Sequence, residues 1–407
     1  MHPNVPHLRF PEFHGEWEKC KVSDLLDFYS TNSLSWDQLE YGTDNLLNLH
    51  YGLIHVGLPT MVDLSKDILP AIKKENEPKN FELCKEGDIA FADASEDTNE
   101  VAKAIEFYTL EDKAVVCGLH TIHGRDKSNK TVVGYKGYAF SSTAFHHQIR
   151  RIAQGTKIYS INAKNFAECY IGIPSKEEQT KIAKLLRLID ERIATQSKLI
   201  EDLKKLKSAI IDYAINSLDT DFAKFGSLYE MAGEGGTPTT SNASFYDNGK
   251  IPFVKIDDLK KKYLTENNDF ITELGLQKSS AWLVPTRSIL FSNGATIGEI
   301  TITTYPVCTK QGILGIVPKP NIDVEFLYYF MSSSYFKKAV SRIVTEGTMK
   351  TVYLKDINNI RCPIPTKEKQ LDIAKMPSAL NSKIDFEQSI LKLFGSQKQY
   401  LLRQMFM

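Results

Sequence analysis

The chain has 407 residues, 42% of them apolar, which is enough for two or three domains with real cores. Its 50 basic and 50 acidic side chains cancel, which argues against a protein that holds nucleic acid by bulk charge alone. No apolar run is long enough to span a bilayer and no basic-then-apolar signal pattern opens the chain, so a cytoplasmic protein is expected.

Residues 1–172 form a first mixed block of short apolar runs, aromatics and turn residues. Charge is unevenly spread here: residues 60–112 hold 14 acids against 6 bases, and residues 113–164 hold 9 bases against one acid, Asp126. A basic segment of this kind suits a phosphate backbone. Within it, Arg150, Arg151, Thr156 and Lys157 flank Gly155, where the absence of a side chain allows a close backbone approach, and they are candidate DNA contacts. His120, His123, His146 and His147 have no spacing that fixes them as metal ligands, and no metal is expected. The six cysteines, at positions 20, 84, 117, 169, 308 and 362, stand singly, without a zinc or disulfide framework.

Residues 173–218 predict one long helix, roughly 42 residues and so about 60 Å. Ile182, Leu186, Ile189, Ile193, Gln196, Ile200, Leu203, Lys207, Ile210 and Ala214 recur in steps of four and three, the period of a coiled-coil seam. Leu199 and Leu206 are also expected in that core. Ser175 is the expected N-cap, with Glu178 completing a capping box.

Residues 219–361 are a second mixed block. Gly233-Glu234-Gly235-Gly236 lacks the spacing of a dinucleotide loop and predicts a mobile connection. Lys255, Lys260, Lys261 and Lys262 cluster after a predicted strand. Ser292 and Asn293, then Thr309-Lys310-Gln311, combine amide, hydroxyl and cationic groups able to meet base edges. Thr348, Lys350 and Thr351 follow Gly347 much as Lys157 follows Gly155. Candidate DNA contacts in this block are Lys255, Lys260, Ser292, Asn293, Lys310, Gln311, Thr348, Lys350 and Thr351.

Residues 362–407 predict the second helical stretch. Ile364-Pro365-Thr366-Lys367-Glu368-Lys369-Gln370 repeats Ile173-Pro174-Ser175-Lys176-Glu177-Glu178-Gln179 at an offset of 191 residues. At that offset Ile373, Pro377, Leu380, Ile384, Glu387, Leu391, Phe394, Lys398, Leu401 and Met405 repeat the seam, polar breaks included. Pro377 and Gly395 should weaken this helix, with a kink at Pro377. Strands align loosely too: Gly87–Phe91 with Arg287–Phe291, and Ile54–Val56 with Phe253–Lys255. The chain therefore reads as α+β, a pseudo-twofold internal repeat of two domains and two long helices that pair as an antiparallel coiled coil.

This layout resembles the specificity subunits of type I restriction-modification systems. The duplicated Ile-Pro…Gln…Ile-Ala junction carries the resemblance, with Leu8-Arg9-Phe10-Pro11-Glu12-Phe13…Gly15-Glu16-Trp17 and Gly235-Gly236-Thr237-Pro238. It implies two target-recognition domains, 1–172 and 219–361, each reading half of a bipartite sequence on double-stranded DNA. The helices would set the gap and dock two modification subunits, which methylate adenine with S-adenosylmethionine. Restriction subunits using ATP and Mg would cleave unmodified DNA. No cofactor or catalytic centre is implied on this chain. Consistently, it has no Asn/Asp-Pro-Pro-aromatic loop and no Gly-x-x-x-x-Gly-Lys-Ser/Thr loop. The competing readings are a self-contained methyltransferase or nuclease, and a coiled-coil assembly adaptor that reads no DNA.

Overall fold

A computed structural model describes residues 4–43, 45–294, 296–344 and 350–407. They fall into two units: Met1–Ser197 with Ile390–Met407, and Lys198–Ser389. Each unit takes one mixed block together with part of each long helix.

In unit 1, the strands that bear on function are β1 (Leu26–Tyr29), β2 (Leu47–Leu49), β3 (Met61–Asp63), β4 (Ile89–Ala92), β5 (Ala104–Thr109), β6 (Val115–Cys117) and β7 (Thr121–Asp126). Five of them form a sheet of order β1-β7-β4-β5-β3, in which only β3 and β5 run parallel. The central strand β4 reads Ile-Ala-Phe-Ala and is buried throughout, as a strand covered on both faces must be. A second sheet pairs β6 parallel to β2, then continues antiparallel through Ala71–Ile72 to Leu39–Glu40.

Unit 2 repeats this plan with β8 (Tyr229–Glu234), β9 (Ile251–Val254), β10 (Tyr263–Leu264), β11 (Ile289–Ser292), β12 (Ile300–Thr303), β13 (Cys308–Thr309) and β14 (Ile313–Pro318). Its five-stranded sheet has the order β8-β14-β11-β12-β10, again with only the last pair, β10 and β12, parallel. Its second sheet pairs β13 parallel to β9, flanked by antiparallel Asp269–Ile271. The seven strands of one unit thus match the seven of the other in order and direction. The alignment of Gly87–Phe91 with Arg287–Phe291 falls on the two central strands. The alignment of Ile54–Val56 with Phe253–Lys255 does not hold, because Tyr51–His55 is a helical turn. The strand that occupies the place of β9 is β2.

The long helices are α1 (Lys176–Asn216) and α2 (Lys367–Gln404). Every position of the two seams, Ile182 to Ala214 and Ile373 to Met405, is buried or half-buried. In unit 1, Ile182, Leu186 and Ile189 share a core with Leu401, Leu402 and Met405. In unit 2, Ile211 and Ile215 share one with Ile373 and Ala374. The lysines that interrupt the seams find equivalent partners: Lys398 Nζ lies 2.6 Å from Asp190 Oδ1, and Lys207 Nζ donates to Asn381 Oδ1 at 2.9 Å. Leu199 and Leu206 are 40% and 48% exposed and so lie off the seam, contrary to expectation. Pro377 does not end α2, which continues through it and through Gly395.

Each helix is fixed to its domain by one buried glutamine. Gln179 Nε2 donates to the carbonyls of Pro174 and Lys130, both at 2.9 Å, and its Oε1 accepts from Val132 N at 2.9 Å. Gln370 does the same with Pro365 (2.9 Å), Asn321 (3.2 Å) and Asp323 N (2.7 Å). Ser175 caps α1 by accepting from Glu178 N. The Glu178 carboxylate does not close a capping box. It receives Arg9 instead, Nε at 2.7 Å and Nη2 at 2.8 Å, because Arg9 brings a charge to a carboxylate that is otherwise buried. The N-terminal motif is therefore structural: Leu8 N donates to Gln404 O, and buried Trp17 meets Phe406 edge-on.

Candidate nucleic-acid interface

Unit 2 gathers Lys255, Lys310, Gln311 and Thr351 around one cleft of about 640 Å³. The first three leave the ends of β9 and β13, which run parallel and so deliver their following residues to the same side. Lys310 N donates to Val254 O at 2.9 Å, which seats the β13–β14 turn beside Lys255. Gln311 N donates to Thr237 Oγ1 and Gly312 N to Glu234 Oε1, tying the same turn to the segment after β8. Thr351 pairs with Gly294 in an isolated bridge. Glu234 and Thr237, from residues 233–238, also line the cleft, with Asp257 and Tyr353, which carry no sequence pattern that sets them apart from other surface residues.

Charge in the cleft is modest. Lys255 Nζ lies 2.7 Å from Asp269, whereas exposed Lys310 has no acidic partner at ion-pair distance among the described residues. Two cations, an amide, hydroxyls and two carboxylates make a surface suited to hydrogen bonding along a polar groove more than to bulk attraction.

The other candidates separate by place. Lys260 is exposed and paired with Asp257, and Lys261 with Glu266. Lys262 turns inward to Glu325 at 2.7 Å, sharing it with Ser378 of α2. Ser292 and Asn293 are buried and hold the rim from within, a correction to their reading as base contacts. Ser292 Oγ accepts from Glu299 N, and Asn293 Nδ2 donates to Val352 O. Lys350 borders a separate apolar pocket with Phe291 and Val340. Gly347 and Thr348 lie outside the described residues. The Gly235-Gly236 segment is buried, not a mobile connection: a Cβ on Gly235 would sit 2.2 Å from Thr309 O.

In unit 1, Arg150 and Arg151 close the helix Thr143–Ile152 and are exposed, with Arg150 bonded to Asn99 and His147. Thr156 and Lys157 are exposed in the turn that follows. Gly155 is demanded by that turn itself, since a Cβ there would lie 1.9 Å from Ile158 O. The basic segment 113–164 is less basic than it reads. Arg125 is taken by Asp88 and Glu82, Lys127 by Asp27, Lys130 by Glu18, and Lys136 is buried against Glu106.

One cluster was hidden from sequence spacing. Cys84, Cys117 and His123 are buried with ligand atoms within 4.8 Å of one another, and they are where a metal ion could be held among the described residues. The two sulfurs are 3.6 Å apart, and His123 Nε2 bonds Asp88 at 2.8 Å. Burial and the neighbouring Cys117 push the Cys84 thiol well above the ordinary range.

A strand scaffold of one order and direction is present twice, with unlike polar residues at the same strand ends. The chain matches the type I restriction modification DNA specificity domain over residues 107–205 and 219–393, and it belongs to that family. It is similar to the MjaX putative specificity subunit of Methanocaldococcus jannaschii, 23% identical over 94% of this chain and 91% of that subunit. It is 25% identical to the MjaIX specificity subunit of the same organism over 57% of this chain, and that match spans 58% of the relative's length. In fold it resembles the S subunit of M. genitalium (18% identity, TM-score 0.56, 99% of each chain). It also resembles a chain of a type I restriction-modification assembly (14% identity, TM-score 0.62, 98% of each chain). The chain's class is that of the non-catalytic specificity subunits, whose role lies in DNA specificity. None of its described helices is long and apolar enough to cross a membrane.

Proposed function

We propose that the chain reads a split target on double-stranded DNA, unit 1 taking one half and unit 2 the other, and so directs adenine methylation and restriction by partner subunits in the cytoplasm. The observation that carries this reading is the matched pair of seven-strand scaffolds with different chemistry at the same loops. Rigid strands hold the loops, and the loops differ where two specificities would have to differ. In unit 2 the reader is the cleft of Lys255, Lys310, Gln311 and Thr351, with Gln311 able to meet adenine and Lys310 guanine in the major groove. In unit 1, Arg150, Arg151, Thr156 and Lys157 hold phosphates.

The helices in this reading pair antiparallel as a coiled coil. The equivalent contacts of Lys398 with Asp190 and Lys207 with Asn381 support it. So do the helix residues shared by each core. The paired helices set the gap between half-sites and dock two modification subunits, which hold S-adenosylmethionine; restriction subunits with ATP and Mg join them. The near-neutral chain then binds DNA weakly alone and tightly within the complex.

The test is methylation mapping in cells expressing the chain with its modification subunit. Methylated adenines in two short half-sites around a fixed gap are expected. An assembled complex that methylates no split motif would favour the coiled-coil adaptor without DNA reading.

A further inference from the structure

The match between units reaches beyond the strands into the loops, and it assigns a place in unit 1 that no charge pattern marks. Lys310 N bonds Val254 O in unit 2, and Gly118 N bonds Leu49 O in unit 1, both at 2.9 Å. Asn293 N bonds Gly312 O at 3.0 Å, and Asp93 N bonds His120 O at 3.1 Å. Val352 N bonds Asn293 O at 2.8 Å, and Ile161 N bonds Asp93 O at 3.0 Å. The sheet registers agree, since Thr309 pairs with Val254 as Cys117 pairs with Leu49. His50 therefore stands where Lys255 stands, and Gly118-Leu119-His120 where Lys310-Gln311-Gly312 stands.

At that place unit 1 carries a chain of rings. Trp36 lies over His50 with centroids 4.4 Å apart, His50 meets Tyr51 at 4.7 Å, and Tyr51 meets His120 edge-on at 5.2 Å. The two ends are open to solvent: Trp36 is 45% exposed, and His120 is exposed while bonded through Nδ1 to Asp93 at 3.2 Å. The inner imidazole is fixed, His50 Nδ1 accepting from Gly52 N at 3.1 Å.

The backbone adds an independent observation. Gly312 has φ +91, and its counterpart His120 has φ +54, a left-handed conformation that costs a side chain but not a glycine. Strain retained at an exposed imidazole, where a glycine serves in the other unit, points to a use for that side chain.

We propose that Trp36, Tyr51 and His120, stacked on the buried His50, form the base-contacting surface of unit 1, meeting double-stranded DNA at the place where unit 2 presents Lys255, Lys310 and Gln311. The inference rests on the split-target reading above. Rings offer contact to thymine methyls and sugars, and the outer imidazole edge of His120 offers a hydrogen bond to a base edge. Unit 1 thus reads by rings and imidazoles, unit 2 by ammonium and amide groups.

The experiment is methylation mapping of the complex assembled with the modification subunits, for the wild-type chain, Trp36→Ala, His120→Gly, and the double variant Lys310→Ala/Gln311→Ala, with the melting temperature of each. Trp36→Ala and His120→Gly should relax or abolish one half-site, at least tenfold in rate on the wild-type motif. Lys310→Ala/Gln311→Ala should affect the other half. His120→Gly should also melt no lower than wild type, because it relieves the left-handed strain; a merely structural His120 would melt lower. A wild-type split motif that both unit 1 variants methylate unchanged overturns this inference alone. No split motif from the wild-type complex overturns the reading beneath it as well.

Discussion

Replacing Gln179 with Ala strands a known set of partners. The side chain is fully buried, and its loss leaves Val132 N–H without an acceptor and the carbonyls of Lys130 and Pro174 without their donor. An unsatisfied buried donor or acceptor costs about 1–3 kcal/mol, and carbonyls, with two lone pairs, sit at the low end. Adding the cavity, a loss of about 3–5 kcal/mol is expected. At roughly 2–4 °C per kcal/mol for a domain of about 200 residues, the melting temperature should fall by about 10 °C. Gln370→Ala should cost a similar amount in unit 2. Tryptophan fluorescence separates the two, with Trp17 and Trp36 in unit 1 and Trp282 in unit 2. Gln179→Glu keeps the acceptor for Val132 but sets an oxygen against two carbonyls. It should therefore destabilise more at pH 8 than at pH 5, where protonation restores one donor. A drop below about 1 kcal/mol for both alanine variants would refute the claim that these glutamines fix the helices.

Arg9→Ala leaves the Glu178 carboxylate buried without its cation and should cost about 3–4 kcal/mol in denaturant unfolding, with Arg9→Ala/Glu178→Gln recovering most of it. Burial, with Arg150 adding to it, holds the His146 imidazole below its ordinary value. The unfolded chain then binds more protons between that lowered value and about pH 6.5, so this contribution to stability is lost as the pH falls through the interval. Melting curves at pH 7.5 and 5.5 should accordingly differ less for His146→Gln than for wild type, and an unchanged difference would exclude His146 as the cause. The Cys84 and Cys117 sulfurs pack against each other in the core at 3.6 Å, and a chelator should leave the melting temperature unchanged; a fall of several degrees would instead make the trio with His123 a structural metal site.

What could be read in the sequence was the repeated and the periodic. The junction copies are near-identical in type, and the 4-3 seam predicts burial position by position along both helices. The role of Gln179 and Gln370 was not legible, because a glutamine in the first turn of a helix, five residues after a proline, reads alike as an anchor and as a solvated side chain. The inward turn of Lys262 is not legible for a similar reason. A cation in a run of three reads as surface, and only tertiary contact brings Glu325 and Ser378 to it. The pairing of Ile54 with Phe253 failed because β2 is three residues long and includes buried Asn48. The better apolar run, four residues later, is a helical turn. The rings of unit 1 carry no charge signal in the sequence, and equivalence between units is carried by main-chain bonds that any residue can make.

The use of a glutamine at each helix base also has a physical reason. An apolar residue there would be buried as well or better, but it would leave the direction of the helix to be settled by loose packing. Three hydrogen bonds from one planar amide fix both the position and the axis, because each weakens as its angle opens. For α1, with 41 residues and a length of about 60 Å, a tilt of about 5° at the base displaces the far end by about 5 Å. That is more than the rise of one base pair, about 3.4 Å. If the helices set the gap between two half-sites, an error of that size would shift the register of the reading. A buried polar anchor then trades some stability for angular precision at the base of each long helix.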